Sequence, residues 1–385
     1  MISYGKQHLD KEDIEAVVKV LEGDWLTQGP AIKNFEDKLS AYFNSKYCSV
    51  VSNGTAALHL TSLALGWNKD DYVITTPITF LADANAIVYS GATPLFVDIE
   101  ADSYTIDVKI IYDLLKKDRK KKRRIKAIIA VDYAGHPCDW KTLRDIADEF
   151  EVQLINDNCH AMGAEYFSDA GYAAFYADCV IQSYHPVKHI TTGEGGSVLT
   201  NIKEIDKKIK TLRTHGINRD GIADNGPWYY EMHELGYNYR LTDIQAALGI
   251  SQLLKLEKFL KKRHQIAADY TKALNKYDGI LTPPEKSIIK HAYHLYPLLI
   301  DFEKFDINKI QFFREMKKRG INLQVHYIPV HLQPFYRKNF GCMEGNHPIA
   351  EDFYLKEVSL PIYPDLLKID QKKVILAIKD ILKIK

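Results

Sequence analysis

The feature that most constrains the fold of this chain is an alternation of short β-rich runs with helical patterns over residues 47–200. Helical patterns at 55–65, 80–89 and 140–150 are long enough for crossover connections between strands. This alternation is typical of a parallel sheet with helices on both faces, so we predict a doubly wound α/β domain. The strand candidates are residues 48–51, 72–75, 94–97, 125–131, 152–157, 178–183 and 196–200.

The remainder of the chain has a different pattern. Its candidates are one long, broken helix at 242–276, a strand at 293–300, a helix at 307–319 and a terminal helix at 372–382. The sequence therefore predicts a large domain of residues 1–245, which includes an N-terminal arm of residues 1–30, and a smaller α+β domain of residues 246–385. Residues 217–231, rich in Gly, Asp and Asn, are expected to form an exposed loop.

Charge and composition exclude several classes of partner. The chain has 51 Lys and Arg against 50 Asp and Glu, so no overall charge draws it to nucleic acid or to an anionic membrane. Its one basic run, residues 116–124, contains no aromatic side chains and is expected to be solvated. No apolar run reaches membrane-spanning length, and the 5 scattered cysteines suit neither a disulfide framework nor a zinc ribbon. We therefore expect a cytoplasmic protein with reduced cysteines and small-molecule ligands.

Two stretches of the large domain indicate a ligand site at the edge of the sheet. Residues 52–58 (SNGTAAL) lead from a strand into a helix, where free N–H groups, the helix dipole and Gly54 would suit a phosphate. A plain strand-to-helix turn is the alternative. Asp157 ends an apolar strand, at the position where open α/β sheets bind ligands. Alone, this aspartate could be a helix cap, a metal ligand or a charge partner, and a cap and a functional role are equally favoured.

A lysine follows the next strand. Residues 183–188 (SYHPVK) place the Ser183 hydroxyl and the Lys188 amine around a turn. A lysine on a loop is usually solvated, so this stretch alone does not indicate catalysis. The glycines of 193–196 do not follow the dinucleotide-binding pattern and are expected to form a tight connection into the next strand.

A polar helix start completes the set. Residues 236–243 (GYNYRLTD) contain Asn238, and simple capping by Thr242 or Asp243 is the alternative interpretation.

Together, these stretches supply what pyridoxal phosphate (PLP) requires. An amine such as that of Lys188 forms an imine with the cofactor aldehyde, a carboxylate keeps the pyridine nitrogen protonated, and a hydroxyl and backbone N–H groups hold the phosphate.

The sequence resembles the DegT/DnrJ/EryC1/StrS sugar aminotransferases, which have fold type I of the PLP-dependent enzymes. The resemblance runs from residues 26–30 (LTQGP) to 350–352 (AED) and 359–361 (SLP). It implies an α/β fold with a mostly parallel seven-stranded sheet flanked by helices and a smaller C-terminal α+β domain. One departure is Asn156, which precedes Asp157 where many members have a glutamate.

The resemblance also implies roles for individual residues. Lys188 would form the Schiff base and move a proton between the donor carbon and the cofactor, with Asp157 on the pyridine nitrogen and His160 beside the ring. Phe80 would stack on the ring, and Asn238 would reach the phosphate of a neighbouring subunit, so a homodimer is expected. Without the resemblance, Phe80 and His160 would be interpreted as core residues. The cofactor-binding residues would be Gly54, Thr55, Ala56, Phe80, Asp157, His160, Ser183, Lys188 and Asn238.

Residues 128–135 (IIAVDYAG), 183–188 and 324–330 (QVHYIPV) most resemble aminotransferases of pseudaminic acid biosynthesis. This implies PLP, with pyridoxamine phosphate as its intermediate form, L-glutamate as donor, and amination at C4 of UDP-2-acetamido-2,6-dideoxy-β-L-arabino-hexos-4-ulose. No metal is expected, because His326 and His331 lack a third ligand at a recognised spacing. The substrate-binding residues would be Tyr4, Thr27, His185, Arg240, His326 and Tyr327.

Three alternatives stay open. The substrate could be another 4-keto-6-deoxy sugar linked to UDP, GDP or dTDP. Family members that deoxygenate sugars have histidine in place of the lysine, and Lys188 argues against that activity although His189 is adjacent. A non-catalytic PLP-binding sensor is the third alternative, and the complete catalytic set argues against it.

Overall fold

The large sheet predicted from the alternating pattern is present in the computed structural model, which describes residues 1–120, 124–219 and 226–385. Its strands lie in the order β1-β7-β6-β5-β4-β2-β3, and β7 runs antiparallel to both of its neighbours while the other pairs are parallel. The strands are β1 (Tyr47–Val51), β2 (Tyr72–Thr75), β3 (Thr93–Phe96), β4 (Ile125–Val131), β5 (Gln153–Asp157), β6 (Cys179–Ser183) and β7 (Gly196–Thr200). Each lies within one residue of its predicted bounds, and the predicted fold class is confirmed.

Helices cover the sheet and build the rest of the chain. They are α1 (Lys11–Leu21), α2 (Pro30–Phe43), α3 (Gly54–Ala64), α4 (Leu81–Tyr89), α5 (Val108–Arg119), α6 (Trp140–Phe150), α7 (Tyr172–Tyr176), α8 (Lys203–Leu212), α9 (Asp243–Leu253), α10 (Leu256–Leu274), α11 (Lys309–Lys318), α12 (Pro334–Phe340), α13 (Pro348–Lys356) and α14 (Lys368–Ile381). Two cores of buried side chains lie on the two faces of the large sheet, because alternate residues of each strand point to opposite faces.

Local sequence explains where α9 begins. The Thr242 side chain accepts a hydrogen bond from the Gln245 N–H, and the Gln245 side chain accepts one from the Thr242 N–H, which together form a capping box. The Asp243 carboxylate instead accepts from the N–H groups of Gly29 and Ala31. The alternative interpretation of this stretch therefore holds for Thr242, which caps the helix, whereas Asp243 holds the N-terminal arm against the large domain.

A second, smaller sheet lies in the C-terminal part of the chain. It is antiparallel, in the order β8 (Ile280–Leu281), β9 (Tyr296–Ile300) and β10 (Glu357–Leu360). The strand predicted at 293–300 begins later, because Tyr293 has a φ of 49°, which is left-handed rather than extended. The terminal helix begins at Lys368, four residues before its predicted start at 372.

Helix α10 connects the two parts of the molecule. Leu256 and Leu260, near its start, pack in a core of the large sheet, whereas Ile266 and Tyr270 pack in the core of the small sheet. Ile2, at the far N-terminus, also belongs to the second core. The boundary between residues 245 and 246 stays a prediction.

Two predicted surface segments are described in part. Residues 121–123 of the basic run at 116–124, and residues 220–225 of the loop at 217–231, lie outside the described residues. The ends of that loop form a short antiparallel ribbon between Ile217–Asn218 and Glu231–Met232. All five cysteines are unpaired. Within the described ranges, no helix is long and apolar enough to cross a membrane.

Candidate active site

A cavity of about 1020 Å³ opens at the carboxyl ends of β5 and β6, where open α/β sheets bind ligands. It gathers most of the site residues predicted from the sequence: Tyr4, Gly54, Thr55, Ala56, Phe80, Asp157, His160, Ser183, His185, Lys188, His326 and Tyr327. Thr27, Asn238 and Arg240 do not line it. His326 and Tyr327 come from the C-terminal part of the chain that contains the small sheet, so the cavity lies between the two sheets.

One wall of the cavity is the start of α3. Asn53 Oδ1 accepts a hydrogen bond from the Ala56 N–H at 2.8 Å, which leaves the N–H groups of Gly54 and Thr55 without an acceptor inside the helix. Gly196 lies against this turn so closely that a Cβ atom on it would be 2.5 Å from the Asn53 carbonyl carbon. The Ser183 side chain packs beside Gly54. Free backbone donors, a hydroxyl and the helix dipole together suit a phosphate group.

Lys188 and Asp157 share the same cavity. Loss of water around Lys188 lowers the pKa of its amine, while the charges of Cys159, Asp157 and Asp83 oppose this effect. A lower pKa leaves more of the amine unprotonated, as a nucleophile or base requires. The Asp157 carboxylate accepts a hydrogen bond from the Cys159 N–H at 3.0 Å. An amine and a carboxylate thus face the space beside the turn at the start of α3.

A second carboxyl group, which the sequence analysis did not single out, lies behind Asp157. Asp83 is fully buried in α4, and one of its oxygens accepts a hydrogen bond from the Thr79 hydroxyl at 2.5 Å. Its other oxygen, Oδ1, has no partner within the described residues. Burial, followed by the charge of Asp157, raises the pKa of Asp83 well above 3.8. Asp83 therefore keeps a proton to higher pH than an exposed aspartate does.

His160 and Tyr327 form the opposite wall. The Ala134 N–H donates to His160 Nδ1 at 3.3 Å, and burial lowers the pKa of this histidine well below 6.5. The neutral ring must therefore carry its proton on Nε2, which donates to the Tyr327 hydroxyl at 3.1 Å. Phe80 is 56% exposed, with its ring 6.1 Å from that of Tyr327, so it is not a core residue and one face is free to stack.

The two histidines considered as a zinc pair have separate partners. His326 lines the cavity and contacts Ser359 through Nδ1 at 2.7 Å. His331 is buried outside the cavity, where its Nε2 contacts Glu351 at 2.9 Å. Within the described ranges, no group of three or more His, Cys, Asp or Glu side chains could hold a metal ion.

Three predicted site residues lie apart from this cavity. Asn238 is exposed, Thr27 forms a bridge with Thr242, and Arg240 lines a separate cavity of about 270 Å³ together with Arg213. Large apolar side chains are exposed near these residues in sequence: Trp25, Leu26, Trp228 and Leu235. The prediction that Asn238 reaches the site of a neighbouring subunit requires it to lie outside the cavity of its own chain, as it does.

The sequence analysis also missed several residues that line the cavity: Asn53, Thr79, Tyr89, Glu194, Tyr239, His294, Gln324 and Gln333. They come from loops and helices that are distant in sequence. Glu194, Tyr239 and Gln324 lie in stretches that the sequence analysis considered, but nothing local marks these side chains as part of the site, and only the packing of the two sheets brings them together. Asn53 is the exception, because an Asn before a small-residue helix is a recognisable N-cap.

The fold and the cavity define a class of protein. The turn at α3 would take the cofactor phosphate, Asp157 its ring nitrogen and Lys188 its aldehyde, so the residues present fit PLP. A mostly parallel seven-stranded sheet with this site is the architecture of a fold type I PLP-dependent enzyme.

The chain belongs to the DegT/DnrJ/EryC1/StrS aminotransferase family, whose sequence profile matches residues 7–379. It is 44% identical over 376 residues to the uncharacterized protein MJ1066 of Methanocaldococcus jannaschii, which covers 97% of this chain and 95% of that protein. It is 39% identical over 372 residues to the UDP-4-amino-4,6-dideoxy-N-acetyl-beta-L-altrosamine transaminase of Campylobacter jejuni, with the same coverage.

Among solved structures, the fold is similar to Helicobacter pylori PseC, an aminotransferase involved in the biosynthesis of pseudoaminic acid. The TM-score is 0.90 at 32% identity, and the match covers 99% of each chain. These similarities confirm the predicted family and its cofactor. The chain is therefore a PLP-dependent sugar aminotransferase.

Proposed function

We propose that this enzyme moves the amino group of L-glutamate to C4 of a UDP-linked 4-keto-6-deoxy-N-acetylhexosamine. The specific substrate would be UDP-2-acetamido-2,6-dideoxy-β-L-arabino-hexos-4-ulose, in pseudaminic acid biosynthesis. The observation that carries the proposal is the single cavity that holds Lys188, Asp157 and the free N–H groups at the start of α3. The 39% identity to the Campylobacter jejuni transaminase supports the sugar and its nucleotide.

Lys188 performs the proton transfers in this proposal. When bound, PLP supplies an aldehyde that carries the amino group and a ring that accepts electrons. With the cofactor aldehyde taken by the amino donor, the Lys188 amine would be free to act as a base. With its lowered pKa, Nζ takes a proton from the donor α-carbon in the first half-reaction. In the second half-reaction, it delivers a proton to C4 of the sugar.

The other cavity residues hold and orient the reactants. Asp157 would stabilise a protonated ring nitrogen, and burial raises the pKa of its neighbour Asp83. The N–H groups at the start of α3 and the Ser183 hydroxyl hold the phosphate. Phe80 would cover one face of the ring, and His160 lies at the opposite wall, where its Nε2–H donates a hydrogen bond to the Tyr327 hydroxyl.

The sugar nucleotide is assigned to the part of the cavity between the two sheets. Tyr4, His185, His326 and Tyr327 line this part, and all carry groups that form hydrogen bonds with hydroxyl or amide groups. A volume of about 1020 Å³ is at the upper end of the range for small-molecule sites, which leaves room for a second ligand beside the cofactor.

A homodimer is part of the proposal. Asn238 lies outside the cavity of its own chain and is exposed, as expected for a residue that completes a neighbouring site. The exposed indole of Trp228 and the exposed side chain of Leu235 are the kind of apolar surface that a partner subunit covers. Thr27 and Arg240 are assigned to the same shared region. The cytoplasmic location expected from the sequence stays a prediction.

The glutamate half-reaction tests the catalytic part of the proposal. Adding L-glutamate to the purified holoenzyme should convert the visible absorbance of the PLP form to that of the pyridoxamine form. Lys188→Ala should abolish the conversion, whereas Lys11→Ala, a change to a lysine whose side chain is 88% exposed, should leave it unchanged. An unchanged wild-type spectrum would contradict a transamination from glutamate.

A further inference from the structure

A buried carboxylate lies directly behind the cavity wall. Glu357, the first residue of β10, is fully buried, and neither of its oxygens contacts a cation among the described residues. One oxygen, Oε2, accepts a hydrogen bond from the backbone N–H of His326 at 3.0 Å. The other, Oε1, accepts from the Ser359 hydroxyl at 2.5 Å. One oxygen of this carboxylate therefore accepts a hydrogen bond from His326, and the other accepts one from Ser359, whose side chain contacts His326.

The directions of these hydrogen bonds follow from the chemistry of the groups. A backbone N–H can only donate, and above a pH of about 7, where Glu357 is ionised, its carboxylate can only accept. Ser359 has a single hydroxyl proton, which it gives to Glu357, so its oxygen must accept from His326 Nδ1 at 2.7 Å. His326 Nδ1 therefore carries a proton. We call this chain of Glu357, Ser359 and His326 the Glu357 relay.

The same argument fixes the other nitrogen of His326. Burial, followed by the charge of Lys188, lowers the pKa of His326 to about 3, so the ring is neutral at physiological pH. A neutral imidazole has one ring proton, and with that proton on Nδ1 the Nε2 atom holds a free lone pair. Nε2 has no hydrogen-bond partner within the described residues, and the ring lines the cavity.

The backbone and the neighbouring rings hold His326 in this position. The Tyr133 hydroxyl donates to the His326 carbonyl oxygen at 2.5 Å, while Glu357 accepts from the His326 N–H. The Tyr4 ring lies 5.4 Å from the imidazole on the cavity side. The His160 Nε2–H, in contrast, is already used by the Tyr327 hydroxyl.

We propose that Glu357 and Ser359 are positioning residues that fix His326 as its Nδ1–H tautomer, so that Nε2 accepts a hydrogen bond from a hydroxyl or amide N–H group of the sugar. The inference rests on the proposed function only for the ligand, a keto sugar nucleotide. An acceptor at this position favours a sugar that carries a donor there and disfavours one that presents a carbonyl or ether oxygen, because two acceptors facing each other leave both unpaired.

The variant Glu357→Gln reverses the relay without changing its size. The His326 N–H requires an acceptor, so the amide oxygen of the glutamine must face it and the amide NH₂ group must face Ser359. The hydroxyl then accepts from the glutamine and donates to Nδ1, which moves the ring proton to Nε2. Ser359→Ala instead removes the link. Glu351→Gln is the matched control, because Glu351 contacts a different histidine, His331, outside the cavity.

The decisive measurement is ¹⁵N NMR of the holoenzyme labelled at its histidines, because the protonated and bare nitrogens of a neutral imidazole have well-separated shifts. The His326 signals are assigned by their loss in His326→Asn. At a pH well above 7, where Glu357 is ionised, we expect the Nδ1–H form in wild type and Glu351→Gln, and the Nε2–H form in Glu357→Gln. An Nε2–H form in wild type, or the same tautomer in wild type and Glu357→Gln, would overturn the proposal.

Kinetics supply the second measurement. Glu357→Gln and Ser359→Ala should each raise the KM for the keto sugar nucleotide about tenfold, the effect of one lost or reversed hydrogen bond. The rate of the glutamate half-reaction should stay at the wild-type value, and circular dichroism should confirm folding. Equal losses in both half-reactions would contradict a role at the sugar. If wild type converts no keto sugar nucleotide, the proposed function fails, while the NMR result still decides the tautomer.

Discussion

Replacing Gly196 by alanine should weaken cofactor binding, because this glycine lets β7 lie against the phosphate-binding turn. A Cβ atom on residue 196 would be 2.5 Å from the Asn53 carbonyl carbon and 2.7 Å from the Gly54 nitrogen. Carbon atoms in contact prefer about 3.5–4.0 Å, so the turn must move by roughly 1 Å. Overpacking of this kind costs about 1–3 kcal/mol. If the displacement of the N–H groups carries that cost, PLP affinity falls roughly 5- to 150-fold.

The assay is a titration of apoenzyme with PLP, followed by visible absorbance. Gly23→Ala is the matched control, because its Cβ would meet only ordinary contacts at 3.5 Å, with the carbonyl oxygens of Lys19 and Val20. We expect wild-type affinity for this control and a clear loss for Gly196→Ala. Wild-type PLP affinity in Gly196→Ala, or an equal loss in both variants, would refute the role assigned to the close approach of β7.

Three further predictions follow from the site. Mixing inactive Lys188→Ala chains with Asn238→Ala chains should restore about a quarter of wild-type activity, because half of the dimers are mixed and each has one intact site; no recovery would contradict a shared site. The KM for the keto sugar nucleotide should rise as pH falls below about 7 and should lose this dependence in Glu357→Gln. Burial raises the pKa of Glu357 to about 7, while the Ser359 hydrogen bond, the charge of Lys309 and the His326 N–H each lower it. The Tyr133 phenol is the other titratable group that faces Glu357. Protonation of Glu357 below that pH reverses the relay. Asp83→Asn should remove the loss of stability that Asp83 is expected to contribute as pH rises above 3.8 toward its raised native pKa. Native Asp83 keeps a proton that the unfolded chain releases, which is worth about 1.4 kcal/mol per pH unit in urea denaturation at successive pH values; an unchanged slope would refute this assignment.

The large sheet could be predicted from the sequence because its strands are buried, β-rich and separated by helices long enough for crossovers. Helix α2 was not predicted, although Pro30 occupies its first position, where proline is favoured. Strand β10 was also missed. Its four residues, Glu357–Leu360, alternate polar and apolar side chains in a run too short to distinguish from a loop, and only pairing with β9 makes it a strand.

The part of the site that follows from topology was also predictable. Asp157 and Ser183 each end a strand of the sheet, and Lys188 follows Ser183 across a short turn, so the order of the strands brings them together. The roles of these residues stay predictions until they are tested by mutation. The Glu357 relay could not be predicted, because residues 324 and 359 meet only through a bridge between distant segments of the small domain. Likewise, nothing in the local sequence of α4 marks Asp83 as a neighbour of Asp157.

The central claim is that the chain aminates a UDP-linked 4-keto sugar at C4. The most direct measurement is to incubate the holoenzyme with L-glutamate and a panel of UDP-, GDP- and dTDP-linked 4-keto-6-deoxy sugars, and to identify each product by NMR. We predict a 4-amino-4,6-dideoxy-N-acetylhexosamine linked to UDP, with 2-oxoglutarate formed in equal amount. Amination confined to a GDP- or dTDP-linked sugar, a deoxygenated product, or no amino sugar from any member of the panel would contradict the claim.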